Sequence, residues 1–573
     1  MRNTRTLSVM VVIFCGWTLA WTTQEAASKV SGDVGQAIDH YMEKAAANGY
    51  AGSVLVARGE TIILAKGYGW ADLEHKIPQT DQTVFSIGSI TKQFTGAAIL
   101  KLETLEKLKV TDFISKYFAV VPADKAEITI HQLLTHTAGF ADALGDDYEP
   151  IGREDFIKLA LGSKLRFKPG DRYEYSNVGF SLLGIIVEIV SGKNYEDFLQ
   201  EMIFKPAGMT RTGYLHPGFA RNELAVGYEG GQRWGTALDR PWRPEGPGWH
   251  LRANGGILST VGDMHRWYLA LKANTVLGAA AKAKFFSPHV KEYPDGDSFY
   301  GYGWVRQKTE AGAILIWHNG GNGIYNAYMG FEPENDLVIV VSSNIAGKVS
   351  DSYAQRIRGI VAGTMKALDE MRLREYSGTY RFASGTEIKI SFNENDTLKA
   401  DFSASELIPL LSASGREAKD ETSSYDQKVK TLLTDALAGE FKALAAAWDE
   451  PLADVQARAS NYWGGKKTRL GEIQKVDVLG TVDRPRHLLT YARVDFATRK
   501  QFFTFVWVKD GARLMDIREA DGLEREFEPQ SENEFTQPII GASIVFQKDA
   551  AGTIALTVKK NGIETRAVKI EGQ

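Results

Sequence analysis

The sequence predicts an α+β fold, because its helix-like and strand-like segments are segregated along the chain. A helical segment and a hairpin come first, at 34–47 and 52–65, and helical segments fill the middle. Strand-like apolar runs return much later, at 314–317 and 337–342. Strand order in the sheet must then differ from chain order, which favours an α+β or three-layer architecture over a regular βαβ repeat.

Side-chain periodicity supports each element in turn. One face of the first predicted helix is apolar and consists of Val34, Ile38, Tyr41, Met42 and Ala45. Residues 52–57 and 61–65 alternate like strands, and the intervening Arg58-Gly59-Glu60 predicts a hairpin turn. Further helices are predicted at 92–105, 130–134 and 179–190. The Gly-, Arg- and Trp-rich stretch 219–254 has weak periodicity and is predicted to form long loops.

The C-terminal third has a different pattern. Segments 372–412 and 523–573 contain short alternating runs separated by turn residues, and they predict an antiparallel barrel-like β module. Between them, an Ala/Leu-rich helical stretch precedes further strands. We therefore predict an α+β insertion over 418–520, and a separate N-terminal domain over 32–368.

Composition and charge limit the classes of protein to which this chain can belong. The chain has 573 residues, of which 44% are hydrophobic, and this length suits more than one core. Its 67 basic and 71 acidic residues leave a formal net charge of −4. Such a balance offers no electrostatic reason to bind nucleic acid or an anionic membrane, and we expect neither as a partner.

The N-terminus has the layout of a secretory signal peptide. Arg2 and Arg5 precede an apolar run from about 7 to 21, and small residues follow. We predict a signal peptide over 1–20, with cleavage that could extend to 27, and a periplasmic or secreted mature protein with no stable membrane span. An uncleaved anchor is the alternative. The only cysteine, Cys15, lies in this run, so disulfides and thiol catalysis are not expected.

A serine and a lysine three residues apart begin the predicted helix at 92–105. Ser89 and Lys92 fall on one face at this spacing. A serine hydroxyl is a weak nucleophile until a base accepts its proton, and a lysine can help if it is neutral or lowers the pKa of another base. The spacing alone is common by chance and also fits a capped helix with a solvated lysine.

Two further motifs follow in the chain. Tyr175-Ser176-Asn177 precedes a predicted helix, and a tyrosine near a lysine can take up a serine proton while the asparagine amide orients a substrate. His318-Asn319-Gly320 follows a strand-like run and continues into Gly321. Glycines at such an edge let a substrate approach the backbone. Each motif by itself also fits an ordinary helix start or turn.

Taken in this order, the three motifs resemble the serine β-lactamase and penicillin-binding-protein superfamily, most closely its class C β-lactamase and esterase-like branch. The resemblance covers roughly 32–368 and includes Leu133–Phe140 and Gly255–Thr260. It implies a β-lactamase-like domain with an antiparallel sheet flanked by helices and a helical lobe.

The resemblance also implies roles for the motif residues. Ser89 would be the nucleophile, with Lys92 and Tyr175 sharing the base role, and the N–H groups of Ser89 and Gly321 would form the oxyanion hole. Substrate-binding residues would be Asn177, His318 and Gly320. No metal or cofactor is expected, and the pattern Gly-x-Ser-x-Gly of another hydrolase class is absent around Ser89.

One departure from the family pattern bears on the substrate. Position 318 is His, where penicillin-recognising members carry Lys, and His is mostly neutral at pH 7. This favours an exported serine hydrolase acting through an acyl-enzyme on small esters, amides or D-amino-acid-type peptides. The alternatives are a β-lactamase or D,D-carboxypeptidase, and a non-catalytic binding protein on a hydrolase scaffold.

The C-terminal segments carry a weaker resemblance. Tyr376–Tyr380 and Ser543–Phe546 resemble lipocalin-like β modules that follow some hydrolases of this superfamily, and 418–520 resembles a cone-shaped α+β module. Such modules would restrict access to the active site, provide oligomer contacts, or simply stabilise the chain.

Overall fold

The computed structural model describes most of the chain after residue 27. The described ranges are 28–47, 49–293, 296–309, 312–347, 350–363, 375–392, 398–401, 421–483, 487–508, 513–520, 524–529, 533–537, 542–549, 551–560 and 563–571. The predicted signal peptide therefore lies outside the described residues. No helix within these ranges is both long enough and apolar enough to cross a membrane.

Among the described residues, nine strands form one antiparallel sheet in the N-terminal part. They are β1 (Lys29–Val30), β2 (Gly52–Arg58), β3 (Thr61–Tyr68), β4 (Val290–Lys291), β5 (Phe299–Tyr300), β6 (Val305–Lys308), β7 (Ile314–Gly321), β8 (Asn326–Glu332) and β9 (Leu337–Ser343). Their order is β1-β3-β2-β9-β8-β7-β6-β5-β4. The hairpin β2–β3 thus pairs directly with the last strand, β9, as the segregated sequence pattern requires.

Helices cover this sheet and extend beyond it. In the described part of 28–363 they are α1 (Gly32–Ala47), α2 (Thr91–Thr104), α3 (Ile130–Leu134), α4 (Arg153–Gly162), α5 (Asn177–Ser191), α6 (Tyr195–Leu199), α7 (Val261–Lys272), α8 (Ala279–Phe285) and α9 (Ser350–Val361). The long predicted-loop stretch carries only short elements, including a strand pair at Gly227–Glu229 and Gln232–Gly235.

The alternating side chains of β2 explain how helices pack on both faces of the sheet. Val54 and Val56 belong to the core beneath α1 and α9. Leu55 and Ala57 point to the opposite face and join the larger core that contains α2, α5 and α7. Because successive strand side chains point to opposite faces, one apolar strand can serve both cores. The predicted α+β architecture, with helices on both faces of an antiparallel sheet, is confirmed.

The C-terminal third contains a closed antiparallel barrel. Its strands in the described ranges are Gly378–Phe382, Glu387–Phe392, Leu398–Asp401, Glu524–Pro529, Glu534–Gln537, Ala542–Lys548, Ile554–Lys560 and Ile563–Glu571. Pairing of the first with the last closes the barrel. Aromatic and aliphatic side chains form its core, and the Tyr376 and Phe546 rings stack with centroids 4.4 Å apart. The predicted barrel-like module is confirmed, whereas its lipocalin-like relationship stays a prediction.

Helices and a separate sheet occupy the stretch between the third and fourth barrel strands. The helices are Glu421–Ala438, Lys442–Trp448 and Leu452–Leu470, and the strands are Ile473–Asp483, His487–Phe496, Lys500–Val508 and Leu514–Ala520. Helices come first and the antiparallel sheet second, as expected from the sequence pattern. Tyr491 and Phe502 of this sheet are part of the barrel core, so the two modules share apolar contacts.

Candidate active site

Ser89 lies in a tight turn that leads directly into α2. The turn is a short 3-10 segment, Gly88–Ile90, and Gly88 has a left-handed backbone with φ of 51°. A Cβ at position 88 would lie 2.4 Å from the Gly321 nitrogen, so only glycine allows β7 to approach this closely. The turn therefore brings the Ser89 backbone against the end of the central sheet.

Lys92 is completely buried one turn further along the helix. Its Nζ atom lies 3.0 Å from Ser89 Oγ, 2.6 Å from Asn177 Oδ1 and 2.8 Å from the Asn254 carbonyl oxygen. Burial lowers the pKa of Lys92 to about 7, because a charged amine loses its hydration in the core; Asp142 and Asp147 oppose this shift. A large fraction of Lys92 is therefore neutral near pH 7.

Tyr175 lies close to Lys92 and Ser89. Lys92 Nζ lies 4.7 Å from the centre of the Tyr175 ring, and the Ser89 side chain is one of the groups that influence the Tyr175 hydroxyl. Burial raises the pKa of Tyr175, while the Ser89 contact lowers it to a smaller degree. The phenol is consequently protonated at neutral pH.

Asn177 is the first residue of α5, and Ser176 caps this helix by accepting the Gly179 N–H over 3.2 Å. The Asn177 Nδ2 atom donates to Asp142 Oδ1 over 2.9 Å. This leaves Oδ1 to accept from Lys92, so the amide orientation is determined by both neighbours. The helix start thus carries a side chain that ties Lys92 to the loop around 142.

The end of β7 brings two glycines to the serine turn. A Cβ at Gly320 would lie 2.0 Å from the Ile87 carbonyl oxygen and 2.7 Å from the Ser89 nitrogen. No side chain fits there. The close approach places the backbone N–H groups of residues 89 and 321 on neighbouring segments, an arrangement suited to holding a negatively charged oxygen.

His318 is buried in β7 and both of its ring nitrogens have partners. Nδ1 lies 2.5 Å from the Asn319 carbonyl oxygen, so it must carry the hydrogen and donate. Nε2 then accepts from the Tyr300 hydroxyl over 3.0 Å. Burial, and next the proximity of Lys92, lower the pKa of His318 to about 3. The ring is neutral, and position 318 provides no cation.

The structure therefore brings all the candidate residues from the sequence into one site, and it adds others. Asn254, whose carbonyl accepts from Lys92, immediately precedes the Gly255–Thr260 stretch that carried part of the resemblance. Asp142 follows the Leu133–Phe140 stretch, but no sequence pattern singles it out. Within the described ranges, no group of three or more His, Cys, Asp or Glu residues is placed to hold a metal ion.

Comparisons with known proteins identify the family. The Beta-lactamase family model matches residues 34–362, more than half of the chain. Penicillin-binding protein 4* of Bacillus subtilis is 27% identical over 381 residues, which cover 61% of this chain and 82% of that protein. Protein flp of Staphylococcus aureus is 27% identical over 333 residues, which cover 55% of this chain and 64% of that protein.

One solved structure matches nearly the whole chain. The octameric penicillin-binding protein homologue from Pyrococcus abyssi is 20% identical, with a TM-score of 0.55, and the match covers 94% of this chain and 100% of that one. At this identity the likeness concerns the fold alone, including its C-terminal third. The chain belongs to the Beta-lactamase family and is a serine hydrolase of the penicillin-binding-protein and β-lactamase type.

Proposed function

We propose that this protein is an exported serine hydrolase that cleaves small esters, amides or D-amino-acid-type peptides through an acyl-enzyme on Ser89. One observation carries the proposal: the buried Lys92 amine lies 3.0 Å from the Ser89 hydroxyl oxygen and 4.7 Å from the centre of the Tyr175 ring. A serine beside two titratable groups, with backbone N–H groups on a neighbouring strand, is the arrangement that nucleophilic catalysis needs.

Lys92 is the base in this proposal. A neutral amine has two N–H groups and one lone pair. The Asn177 Oδ1 atom and the Asn254 carbonyl can only accept, so they take the two N–H groups. The lone pair is then left for the Ser89 hydroxyl at 3.0 Å. The lowered pKa of Lys92 and the raised pKa of Tyr175 support the same assignment.

In acylation, the proton that Ser89 loses is balanced by one that the leaving group gains. Ser89 Oγ attacks the substrate carbonyl carbon while Lys92 takes the hydroxyl proton. The Tyr175 hydroxyl donates its proton to the departing oxygen or nitrogen and regains one from Lys92. In deacylation a water molecule attacks the ester, loses a proton to the same pair, and Ser89 recovers its hydrogen as the acid leaves.

The N–H groups of Ser89 and Gly321 hold the oxygen on which negative charge develops. Their proximity follows from the contact of Gly320 with the serine turn. One such donor is typically worth about 10²–10³ in kcat. Asn177 would orient the substrate amide or ester group from the opposite side.

The state of His318 supports a substrate that has no carboxylate next to position 318. Both ring nitrogens are engaged within the protein and the ring is neutral, so this position offers nothing that would pair with a substrate carboxylate. β-Lactams and D,D-peptides carry such a carboxylate. The relative named penicillin-binding protein 4* is the observation that favours the second candidate, a β-lactamase or D,D-carboxypeptidase.

Intact-mass spectrometry after exposure to a fluorophosphonate tests the proposal. We expect one adduct on the wild-type chain and none on Ser89→Ala, while Ser115→Ala, at an exposed serine bonded to the Ala126 carbonyl, labels normally. Parallel assays with p-nitrophenyl butyrate and nitrocefin separate the two candidates. A chain that takes no label and turns over neither substrate would instead be a binding protein on a hydrolase scaffold.

Export and the C-terminal modules are further parts of the proposal. The layout of residues 1–20 supports export, and detection of a shortened mature chain in the periplasm or medium would test it. The barrel and the inserted α+β module are proposed to mediate oligomer contacts or limit substrate size. Light scattering on the full chain would decide the oligomeric question.

A further inference from the structure

His136 lies directly against Tyr175 and hydrogen-bonds to both of that residue's chain neighbours. The Glu174 N–H donates to the His136 carbonyl over 3.0 Å. The Ser176 N–H donates to His136 Nδ1, also over 3.0 Å. Between these two bonds, the His136 and Tyr175 rings lie with centroids 4.3 Å apart. His136 thus holds Tyr175 in two ways: through hydrogen bonds to the backbone of both neighbouring residues, and through contact between the two rings.

The chemistry of this histidine is unusual for a residue that only fills space. Because Nδ1 accepts, the ring hydrogen must be on Nε2, and Nε2 is buried without a hydrogen-bond partner among the described residues. The residue also has a left-handed backbone, with φ of 57°, which is uncommon for any residue except glycine. An apolar side chain would avoid the unpaired nitrogen. The acceptor at Nδ1 is the property that histidine adds.

The surroundings keep the ring uncharged. Its neighbours are the rings of Phe180, Tyr173 and Tyr300. Burial, followed by the proximity of Lys92 and His318, holds the pKa of His136 well below its ordinary value. Protonation at Nδ1 would break the bond to Ser176 and place a second cation near Lys92. The neutral form is therefore the one that both the hydrogen bond and the base require.

We propose that His136 is a positioning residue that holds Tyr175 beside Lys92 and Ser89, acting through the ring contact and the Ser176 N–H. This inference rests on the proposed function, because Tyr175 must participate in proton transfer for its position to matter. Displacing a reacting group by about 1 Å commonly costs about 10²-fold in rate.

Two substitutions separate the contributions. His136→Asn keeps a hydrogen-bond acceptor near the Nδ1 position and tolerates a left-handed backbone, but loses the ring. His136→Phe keeps a ring and loses the acceptor. His131 in α3 provides matched controls, because its Nδ1 bonds to the Tyr302 hydroxyl at 2.8 Å instead of the Tyr175 segment. We expect His131→Asn and His131→Phe to stay within about twofold of wild type, as substitutions away from a catalytic contact usually do.

The measured quantity is kcat for p-nitrophenyl butyrate, divided by the fraction of protein that a fluorophosphonate labels on Ser89 when labelling is complete. We expect a decrease of about 10-fold for His136→Asn and about 100-fold for His136→Phe, with KM changed less than about threefold. A merely structural role would lower the labelled fraction and the melting temperature but leave kcat per labelled site unchanged. That result would overturn the inference.

A double-mutant cycle with Tyr175→Phe completes the test, measured as the rate of fluorophosphonate labelling. If His136 acts through Tyr175, His136→Asn has less than about a twofold effect in the Tyr175→Phe background. An equal effect in both backgrounds would refute positioning through Tyr175, even if His136→Phe fails to fold. If wild-type Ser89 takes no label at all, the proposed function itself fails, and this outcome is distinct from the others.

Discussion

Lys92 Nζ lies 2.6 Å from Asn177 Oδ1, although 85 residues separate the two in the chain. This contact joins the Ser-x-x-Lys turn before α2 to the start of α5. Because Asn177 also donates to Asp142, the amide cannot rotate without losing one of its partners. The amine that faces Ser89 is therefore held by groups outside its own helix, and its burial is a property of the assembled site.

The first prediction concerns pH. Burial lowers the pKa of Lys92 to about 7, and the proposed base must be neutral. We expect kcat/KM for p-nitrophenyl butyrate to rise about tenfold per unit below pH 7 and to level off above it. Lys92→Met should lower kcat/KM by about 10²–10⁴ and remove this acid limb. A profile that instead rises through pH 9–10 would assign the base to another group.

Asp147 provides a test of the charge around that base. Its carboxylate, like that of Asp142, raises the pKa of Lys92 and so opposes the effect of burial. Asp147→Asn removes this charge at nearly constant volume, and the Lys92 pKa should fall. We expect the acid limb of kcat/KM to move to lower pH by up to about one unit. Asp142→Asn should shift it in the same direction, but with an added effect on Asn177. An upward shift would contradict the assignment.

Two neighbouring glycines at the end of β7 should respond very differently to alanine. At Gly320 the new Cβ would meet the Ile87 carbonyl oxygen at 2.0 Å, which forces β7 away from the serine turn. At Gly321 the nearest atoms lie at 3.3 Å, which a small adjustment can relieve. We expect Gly320→Ala to lower kcat by about 10²-fold or more and Gly321→Ala by about tenfold or less. Equal effects would argue that the Ser89–Gly321 arrangement does not contribute to catalysis.

His318→Lys tests the proposed preference for substrates without a carboxylate near position 318. The neutral histidine offers no positive charge, whereas a lysine would place one near a substrate carboxylate. We expect the ratio of nitrocefin to p-nitrophenyl butyrate kcat/KM to increase about tenfold, equivalent to about 1.4 kcal/mol. His318→Gln, which adds no charge, is the control and should leave the ratio unchanged. A wild-type enzyme that already prefers nitrocefin would contradict the premise.

Much of the fold could be predicted because periodicity is a local property. The alternation in β2 and β3 and the helical spacing in α1 depend on residues close in sequence, and the predicted segments agree with the structure to within a few residues. The start of α5 at Asn177, two residues before the predicted position, depends on the Ser176 cap, which supplies an acceptor that periodicity does not register.

The residues of the candidate site also divide into those that local sequence patterns predict and those that only the folded chain brings together. Motif spacing identified Ser89, Lys92, Tyr175 and Asn177, because Ser-x-x-Lys and Tyr-x-Asn are short patterns that can be recognised in the sequence without the structure. Nothing local singled out Asp142, Asn254 or the orientation of His136, since their roles come from contacts across distant segments. The sequence pattern assigns no role to His136, because its bonds to both neighbours of Tyr175 exist only in the folded chain.

The sequence by itself determined the α+β class, the family and the chemical identity of the candidate groups, since these depend on residue type and spacing. Only the tertiary structure decided their states: Lys92 with a lowered pKa, Tyr175 with a raised one, and His318 neutral with both nitrogens engaged. The physical reason is desolvation. Removing a group from water shifts its proton equilibrium, and burial is established by every segment that packs around it.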